Sequence, residues 1–379
     1  MVFSKKPLQF ILATLVACLP LFGFANTAQD SLEVHTETTG VAAETAHEAH
    51  AEPTDLKSKI DAFKNHHVLD SHSFIFFEDE AEGKEYGFPL PVILWDKGVH
   101  IFSSSKFEDG KPAESNGNYY VLGHDEKIYK TDASGTLTGE AHHPTNIKPI
   151  DFSITKSVLT MMVVALLLFW IFAGLAKSFA KNGGISSGLG RLFEPIVLYI
   201  RDEIAIPNIG EKHYKKYMSY LLTVFFFVWF LNMFGLTPLG INVTGNIAIT
   251  AGLAIITALI TNFTANKNYW GHIFWMPGVP TPMKIILAPI ELLGVIIKPF
   301  SLMIRLYANI FAGHVVLMSL IALIFLFKSW IGGSLSFLLS FALSTIEILV
   351  ALLQAYIFTM LSALYFGSAV EEHHHDEAH

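Results

Sequence analysis

The chain has 379 residues, of which 52% are hydrophobic, and its mean hydropathy is +0.44. This composition is too apolar for a wholly soluble protein. Charge is unevenly spread, because residues 26–156 carry 11 Lys/Arg against 23 Asp/Glu, whereas residues 157–370 carry 12 against 6. An acidic soluble part therefore precedes a mildly basic membrane part, and neither has the clustered basic face that nucleic-acid binding requires.

The first 25 residues have the pattern of a secretory signal peptide. Two lysines precede the apolar run 8–24, and the motif GFA at 23–25 is a small-x-small cleavage site. The single cysteine, Cys18, ends the motif LVAC, which has the form of a lipoprotein processing box. Lipidation at Cys18 is therefore the alternative to cleavage after Ala25, and no disulfide within the chain is expected.

Two regions of different character follow. Residues 26–59 contain few large apolar side chains and are expected to be a disordered tether. From residue 60 to 150, short apolar runs alternate with Gly, Asp and Asn turns, which predicts a small β-rich external domain. Its predicted strands are 73–77, 91–95, 99–103, 119–122 and 127–129. Its histidines, including His66, His67, His72, His142 and His143, lack a recurrent spacing with other ligands, so a solvated surface is favoured over a metal site.

Five apolar stretches predict an all-α polytopic membrane protein, with spans at about 158–176, 217–236, 247–263, 285–327 and 335–367. The loop that ends at Lys216 carries seven Lys/Arg, whereas residues 238–246 carry none. The positive-inside rule therefore predicts an external N-terminus and a cytoplasmic tail at 371–379. In the same loop, apolar residues at helical spacing predict an amphipathic helix at about 187–205 on the membrane surface, with a short soluble helix as the alternative.

The apolar run 283–327, which contains the fourth span, is about twice as long as one bilayer crossing requires, since its 45 residues at about 1.5 Å each would extend roughly 67 Å. Its Pro289 and Pro299 are more typical of kinks in a membrane helix than of a helix end. We therefore expect one long, tilted helix. The link 328–334, with Gly332 and Gly333 as its turn, should return the chain as an antiparallel partner. Outside this hairpin, Asn232 and Asn246 are expected to satisfy local hydrogen bonds.

Polar residues interrupt this long helix in a regular pattern. Arg305 lies at its middle, where an arginine costs at least about 2.5–3.5 kcal/mol in a bilayer, so it indicates a function. The alternative, snorkelling to an interface, needs a nearby helix end. Glu291, Lys298, Arg305 and Asn309 lie within about 40° on one helix face, whereas His314 lies about 180° from Arg305 and roughly 13 Å further along.

The antiparallel arrangement also predicts which residues share a depth in the membrane. Residues at equal depth in two antiparallel helices have numbers with a constant sum, and the sum for Arg305 with Gln354 nearly equals that for His314 with Glu347. We expect His314 and Glu347 to act as one titrating unit. A buried ion pair that only holds the hairpin together is the alternative.

The segment KPFSLMIRLYANIFAGH at 298–314, followed by EILVALLQAYIF at 347–358, resembles subunit a of the F-type ATP synthase, and the resemblance extends over residues 157–370. It implies that Arg305 faces the essential carboxylate of the rotor ring, with Asn309 and Gln354 in support. It also implies that His314 and Glu347 line the aqueous access route. Many bacterial relatives carry Glu first and His second, so the order is reversed here.

The resemblance further implies translocation of ions, expected to be protons, through two half-channels beside a rotor ring of subunit c. Subunit b of the peripheral stalk and membrane lipid are the other implied partners, in a bacterial inner membrane. The sequence contains no P-loop, nucleophile elbow or Rossmann fingerprint, so we expect no catalysis in this chain and no cofactor. Two alternatives are a secondary ion-coupled transporter, for which inverted repeats would be expected, and a membrane-anchored binding or sensor protein.

Overall fold

A computed structural model describes residues 70–79, 84–123, 125–140, 143–181, 188, 190–237, 241–276, 279–326 and 330–371. The predicted signal peptide at 1–25, the alternative lipidation site Cys18 and the predicted tether at 26–59 lie outside the described residues. So do residues 60–69 of the predicted β-rich domain and residues 372–379 of the predicted tail.

The N-terminal part of the described chain consists of short antiparallel strands. They are β1 Ser73–Asp79, β2 Lys84–Pro89, β3 Pro91–Trp95, β4 Val99–Ser103, β5 Ala113–Ser115, β6 Asn118–Leu122, β7 Ile128–Thr131, β8 Gly139–Glu140, β9 His143–Pro144 and β10 Ile150–Asp151. They form the sheets β1-β2, β10-β3-β4, β5-β6-β7 and β8-β9, and a 3₁₀ helix, Ser104–Gly110, follows β4. Small sheets are therefore confirmed here, and the predicted strands 91–95 and 99–103 have the bounds of β3 and β4.

Helices make up the remainder of the described chain. They are α1 Lys156–Lys181, α2 Gly190–Tyr199, a π-helical stretch Ile200–Ala205, α3 Ile206–Ile209, α4 Tyr214–Gly235, α5 Ile247–Thr264, α6 Lys267–Phe274, α7 Thr281–Leu326 and α8 Trp330–Val370. Among the described residues, five helices are long and apolar enough to cross a membrane, namely α1, α4, α5, α7 and α8. The predicted fold class, a polytopic helical membrane protein, is confirmed.

The long helix α7 continues through Pro289 and Pro299 for 46 residues, as predicted. Its partner α8 begins at Trp330, so Gly332 and Gly333 are helical and the turn predicted at these glycines is wrong. A lipid environment offers no hydrogen-bond partner to an open backbone, which favours helix even at glycine. The helices are separated by residues 327–329, which lie outside the described part of the chain.

Contacts along the hairpin show that α7 and α8 run antiparallel. Lys298 Nζ lies 5.7 Å from the ring centroid of Tyr365, and Asn309 donates a hydrogen bond to Gln354 at 2.8 Å. Residue numbers thus rise along α7 as those of the contacting residues on α8 fall. The hairpin therefore holds together polar groups that are distant in sequence.

The predicted amphipathic helix corresponds to α2, the π-helical stretch and α3. Phe193, Ile200 and Ile204 are buried in the core that α4 and α8 share, whereas Leu192 and Tyr199 are exposed. The apolar residues of this segment are thus divided between the protein core and the outer surface. Its location on the membrane surface stays a prediction.

The N-terminal sheets are attached directly to the beginning of α1. Asp70 accepts hydrogen bonds from the Thr155 hydroxyl at 2.9 Å and from the Ser157 backbone N–H at 3.0 Å, which satisfies a donor of the first helical turn. Phe74 and Leu90 belong to the same buried cluster as residues of the helices. The sheets and the membrane helices therefore share a packed junction.

Candidate functional site

Arg305 lies midway along α7 and is half-buried beside a ridge of fully buried residues, Leu302, Leu306 and Ile310. These residues share a helix face because they are four positions apart. Within the described part of the chain, the Arg305 guanidinium forms no hydrogen bond and no ion pair. An unpaired arginine in an apolar helix is costly, so this charge is suited to a group that another chain supplies.

One turn beyond Arg305, Asn309 contacts α8 directly. Its Nδ2 donates a hydrogen bond to Oε1 of Gln354 at 2.8 Å. Gln354 is almost completely buried, so its amide oxygen cannot bond to water. The hydrogen bond from Asn309 replaces that lost hydration. The sequence predicted Gln354 at the depth of Arg305, whereas the observed hydrogen bond is with Asn309, one helical turn away.

His314 continues the buried ridge of α7 and is 6% exposed. Its Nε2 faces Gly235, the last residue of α4, where an added Cβ would lie 3.3 Å from Nε2 and 3.1 Å from the carbonyl oxygen of Ile241. The imidazole therefore lies where α7, the end of α4 and the chain leading to α5 meet. A side chain at 235 would therefore force these neighbours to shift by a few tenths of an ångström.

Glu347 on α8 is also 6% exposed, and both of its carboxylate oxygens are buried without a hydrogen-bond partner among the described residues. Its carboxylate abuts Gly313, where an added Cβ would lie 2.7 Å from Oε1. The two predicted partners thus occupy neighbouring positions of the hairpin. No ion pair within 4.0 Å joins His314 and Glu347, both of which are described.

Polar residues near the end of α4 and in the chain that leads to α5 extend this region. Asn232 donates from Nδ2 to the Ala351 carbonyl oxygen of α8 at 3.3 Å and accepts from the Thr244 hydroxyl at 2.8 Å. Both side-chain polar atoms of Asn242 are buried without a partner among the described residues. We call Asn232, Asn242, Thr244, His314 and Glu347 the His314 cluster.

The predictions for the asparagines of this region had different outcomes. Asn246 accepts a hydrogen bond at 3.0 Å from the backbone N–H two residues on and so caps α5, which is the predicted local role. Asn232 bonds to another helix, so the local role predicted for it is wrong. Asn242 was missed, because it stands in the turn-like stretch NVTGN and only burial distinguishes it from an ordinary loop residue.

A cavity of about 200 Å³ lies beside the earlier half of α7. Its polar lining consists of Asn268, Tyr269, His272, Glu291, Lys298, Ser368 and Glu371. Burial, and then the charge of Glu291, raise the pKa of the Tyr269 phenol. We call this space the Glu291 cavity, and it contains both residues of the predicted supporting stripe, Glu291 and Lys298.

A narrower space continues from the Glu291 cavity past Lys298 toward α5. It reaches Thr257, Thr261 and Asn262, and Asn262 Oδ1 is buried without a partner among the described residues. Along α7, Glu291 precedes Arg305 by about 21 Å and His314 follows it by about 13 Å. Polar regions thus lie on both sides of Arg305, and they differ in packing.

Five candidate spans and a long hairpin with Arg305, His314 and Glu347, unpaired among the described residues, define the class of protein. It is a polytopic membrane protein with ionisable side chains inside the membrane, as in ion pathways. Residues 158–367 match the family model described as ATP synthase A chain, which covers more than half of the chain. The chain belongs to this family.

Curated relatives agree with the family match. Proteins named ATP synthase subunit a are 42% identical over 60% of this chain in Chloroherpeton thalassium, 42% over 63% in Pelodictyon phaeoclathratiforme and 39% over 60% in Myxococcus xanthus. The alignments cover 70%, 72% and 77% of those relatives, respectively. Residues 63–152 match a second family model, described as "Domain of unknown function (DUF8433)", so the sheets form a separate family element.

Proposed function

We propose that this chain is the ion-translocating membrane subunit of an F-type ATP synthase, and that it carries protons to and from the carboxylates of a rotor ring of subunit c. In this proposal the chain itself catalyses no covalent reaction. The observation that carries it is the unpaired Arg305, which lies on α7 between two separate polar regions. The family match supports the coarser assignment to the ATP synthase membrane sector.

The two polar regions suit two half-channels. A proton would pass through the His314 cluster, reach a rotor carboxylate beside Arg305, travel with the ring for nearly a full turn and leave through the Glu291 cavity. Buried oxygens and nitrogens without protein partners, as at Glu347 and Asn242, are sites at which a passing proton or water can bind. The 200 Å³ of the Glu291 cavity is sufficient for several water molecules.

Arg305 would have two tasks. Its fixed positive charge favours the ionised form of a rotor carboxylate as it passes, by attraction in a medium of low dielectric. The same field repels cations and so opposes direct leakage between the half-channels. Arginine suits both tasks because its guanidinium stays protonated in proteins, whereas a buried lysine readily loses its proton. Asn309, held by Gln354, lies one turn away and would support the same contact surface.

We also propose that the chain lies in a bacterial inner membrane, with the sheets external and the C-terminus cytoplasmic. The seven Lys/Arg between Lys177 and Lys216 support this orientation. The predicted signal peptide, cleaved after Ala25, would direct the N-terminal part to that side of the membrane. A peripheral-stalk subunit b is the further partner that an F-type complex implies.

Copurification with measured pumping tests this function. We expect the tagged chain to isolate a ring of small hairpin subunits together with ATP-hydrolysing subunits, and vesicles containing this complex to acidify when ATP is added without sodium. A chain that isolates without a ring and still transports a solute would support the secondary transporter instead. Pumping that requires sodium would retain the ATP synthase function but change the ion.

A further inference from the structure

One face of the sheet β10-β3-β4 is exposed and apolar across all three strands. Trp95 is 53% exposed and lies opposite Val99 on one neighbouring strand and Ile150 on the other. Ile101 is 66% exposed, and Phe152, just beyond β10, is also exposed. We call these five residues the apolar sheet face.

The other side of the same sheet is buried. Val92, Leu94 and Phe102 point that way and pack into a cluster that includes Tyr120 of β6, and the same side also carries the buried polar residues His100 and Asp151. An antiparallel sheet with one solvated side normally alternates apolar residues inside with polar residues outside. The exposed side of this sheet departs from that pattern, because its exposed side chains are apolar, which is typical of a surface that a partner covers.

Charge also distinguishes this face from the surrounding chain. The remaining side chains on this side of β3 and β4 belong to Pro91, Ile93 and Ser103, none of which is charged. Residues 26–156 as a whole carry about two acidic residues for each basic residue. A contiguous neutral patch in so acidic a part of the chain is suited to an apolar partner.

The position of the sheet identifies that partner. Phe152 precedes Lys156, the first residue of α1, by four residues, which span at most about 14 Å. The exposed side of α1 is also apolar, with Leu166 at 66% and Trp170 at 73% exposure, as in a helix that faces lipid. The apolar sheet face therefore lies within reach of the membrane surface at which α1 begins.

The junction prevents the sheet from moving far from that surface. The hydrogen bonds of Asp70 with Thr155 and Ser157 tie the strand region to the first turn of α1. The Phe152 backbone N–H also donates to the Ile93 carbonyl oxygen at 2.8 Å, so the chain remains in the sheet almost until α1 begins. A flexible linker is therefore absent between the sheet and α1, both of which are described.

We propose that the apolar sheet face lies against the phospholipid headgroup region beside the start of α1, so that the sheets form a membrane-interface element of this subunit. Tryptophan is enriched at that depth because its ring is apolar and its N–H can meet polar headgroups. Neutral phospholipid is the expected partner, since a strongly anionic surface would repel the acidic remainder of this region.

Site-specific fluorescence in the assembled complex tests this proposal. Cys18 is the only native cysteine, so a fluorophore can be attached at Ile101→Cys or Trp95→Cys, with the unsubstituted protein as the labelling blank. Ser134→Cys, on an exposed turn after β7, is the matched water-facing control, and Leu166→Cys is the lipid-facing control. The complexes are placed in phosphatidylcholine vesicles that contain phosphatidylcholine with a nitroxide near its headgroup.

We expect the lipid nitroxide to quench the labels at 101 and 95 several-fold more than the label at 134, and aqueous iodide to show the reverse order. Iodide quenching at 101 equal to that at 134 would overturn the proposal, because the face would then be open to water. A label at 101 that neither quencher reaches would also overturn it, because protein would then cover the face. Normal ATP-driven pumping by each labelled complex serves as the control for assembly.

Discussion

The N-terminal sheets and the membrane hairpin differ in how their ionisable side chains are paired. In the sheets, His72 Nε2 lies 3.0 Å from Asp151 Oδ2, and both side chains are at least nine-tenths buried. Lys130 Nζ lies 2.6 Å from Asp96 Oδ2 in a second, partly exposed pair. These charges therefore have oppositely charged partners within the domain, although His72 Nδ1 is buried without a hydrogen-bond partner among the described residues.

In the hairpin, the corresponding groups lack such partners. Arg305, His314 and Glu347 form no ion pair within the described part of the chain, although two of them are 6% exposed. Burying an ionisable side chain without a partner costs free energy, so folding alone does not explain these residues. Ionisable groups that serve the fold are paired within the domain, whereas these groups of the hairpin are not paired within the described chain. Proton pumping per assembled complex can test whether this difference reflects function.

Within the two polar regions, the largest effect is expected at Glu347. Glu347→Gln keeps the shape but removes the titrating carboxylate, and we expect pumping per assembled complex to fall at least about tenfold, since positioned proton-transfer groups contribute about 10²–10⁴ in rate. Ser362→Ala, at a buried position of α8 whose hydroxyl already donates to the Phe358 carbonyl oxygen at 2.8 Å, is the matched control and should pump normally. Unchanged pumping by Glu347→Gln, with normal assembly, would make this carboxylate structural.

A smaller effect is expected at Asn242. Its amide atoms have no partner among the described residues, so Asn242→Ala should slow pumping several-fold while the amount of assembled complex stays constant or rises. Asn246→Ala is the control with the opposite signature, because loss of the α5 cap costs about 1 kcal/mol of stability. Less assembled complex at normal rate is expected there. The same signature at Asn242 would remove it from the proton path.

Substitutions of residues that line the Glu291 cavity should slow pumping less than substitutions in the His314 cluster. Glu291→Gln should slow pumping by no more than about twofold, because hydrating water can replace one polar group in an open space of about 200 Å³. Val295→Phe, at a position that lines the same cavity, should slow pumping more by narrowing the space. If Glu291→Gln proved as damaging as Glu347→Gln, the two polar regions would not differ as their packing indicates.

The smallest effect on pumping is expected at His72. His72→Gln should leave the pumping rate per assembled complex unchanged, yet breaking a buried pair by removing one partner should lower the local stability by about 3–5 kcal/mol. Hydrogen exchange of the backbone amides in β3 and β10 measures this loss. Slower pumping with unchanged exchange would assign His72 to the proton path rather than to the fold.

The same pair predicts a pH dependence of that exchange protection. Burial lowers the pKa of His72, but the hydrogen bond and charge of Asp151, with further carboxylates nearby, raise it by more. Burial raises the pKa of Asp151, whereas hydrogen bonds from His72 and Ser153 lower it by more. The net result is that the pKa of His72 is raised from its ordinary value of about 6.5, and the pKa of Asp151 is lowered from its ordinary value of about 3.8.

The directions of these two pKa shifts define a pH range in which the pair stabilises the domain most. The His72 contribution is complete below about pH 6.5 and is lost as the pH rises through its raised pKa, whereas the Asp151 contribution is complete above about pH 4 and is lost as the pH falls through its lowered pKa. Protection should therefore be highest between about pH 4 and 6.5. His72→Gln should remove the decline above this window. A decline of equal size in that variant would exclude the pair as its cause.

Local patterns made much of the fold predictable. Turn residues on both sides of 91–95 and 99–103 fixed β3 and β4, and the length of each apolar run identified the five spans. Helix continuation at Gly332 and Gly333 was not predictable from turn propensity, because a lipid environment changes the cost of an open backbone. Propensities measured in water thus apply less well within the membrane.

The candidate site was predictable only in part. Arg305, Asn309, His314, Glu347 and Gln354 stand out because polar residues are rare in such apolar runs. Their pairing was not accessible, since the hydrogen bond of Gln354 with Asn309 depends on a helix offset of one turn. The Glu291 cavity could not be predicted from the sequence either, because its walls come from three segments that are distant in the chain, namely α6, α7 and the end of α8.

Arg305 would be unpaired within this chain because its partner is a passing rotor carboxylate, and the proton gradient that ATP generates in vesicles containing the Arg305→Ala complex tests this role most directly. We expect the complex to assemble in normal amounts but to build no gradient. Arg305→Lys should be nearly as defective, whereas Lys284→Ala, at the beginning of the same helix, should pump normally. A normal gradient per assembled Arg305→Ala complex would show that pumping does not need this charge.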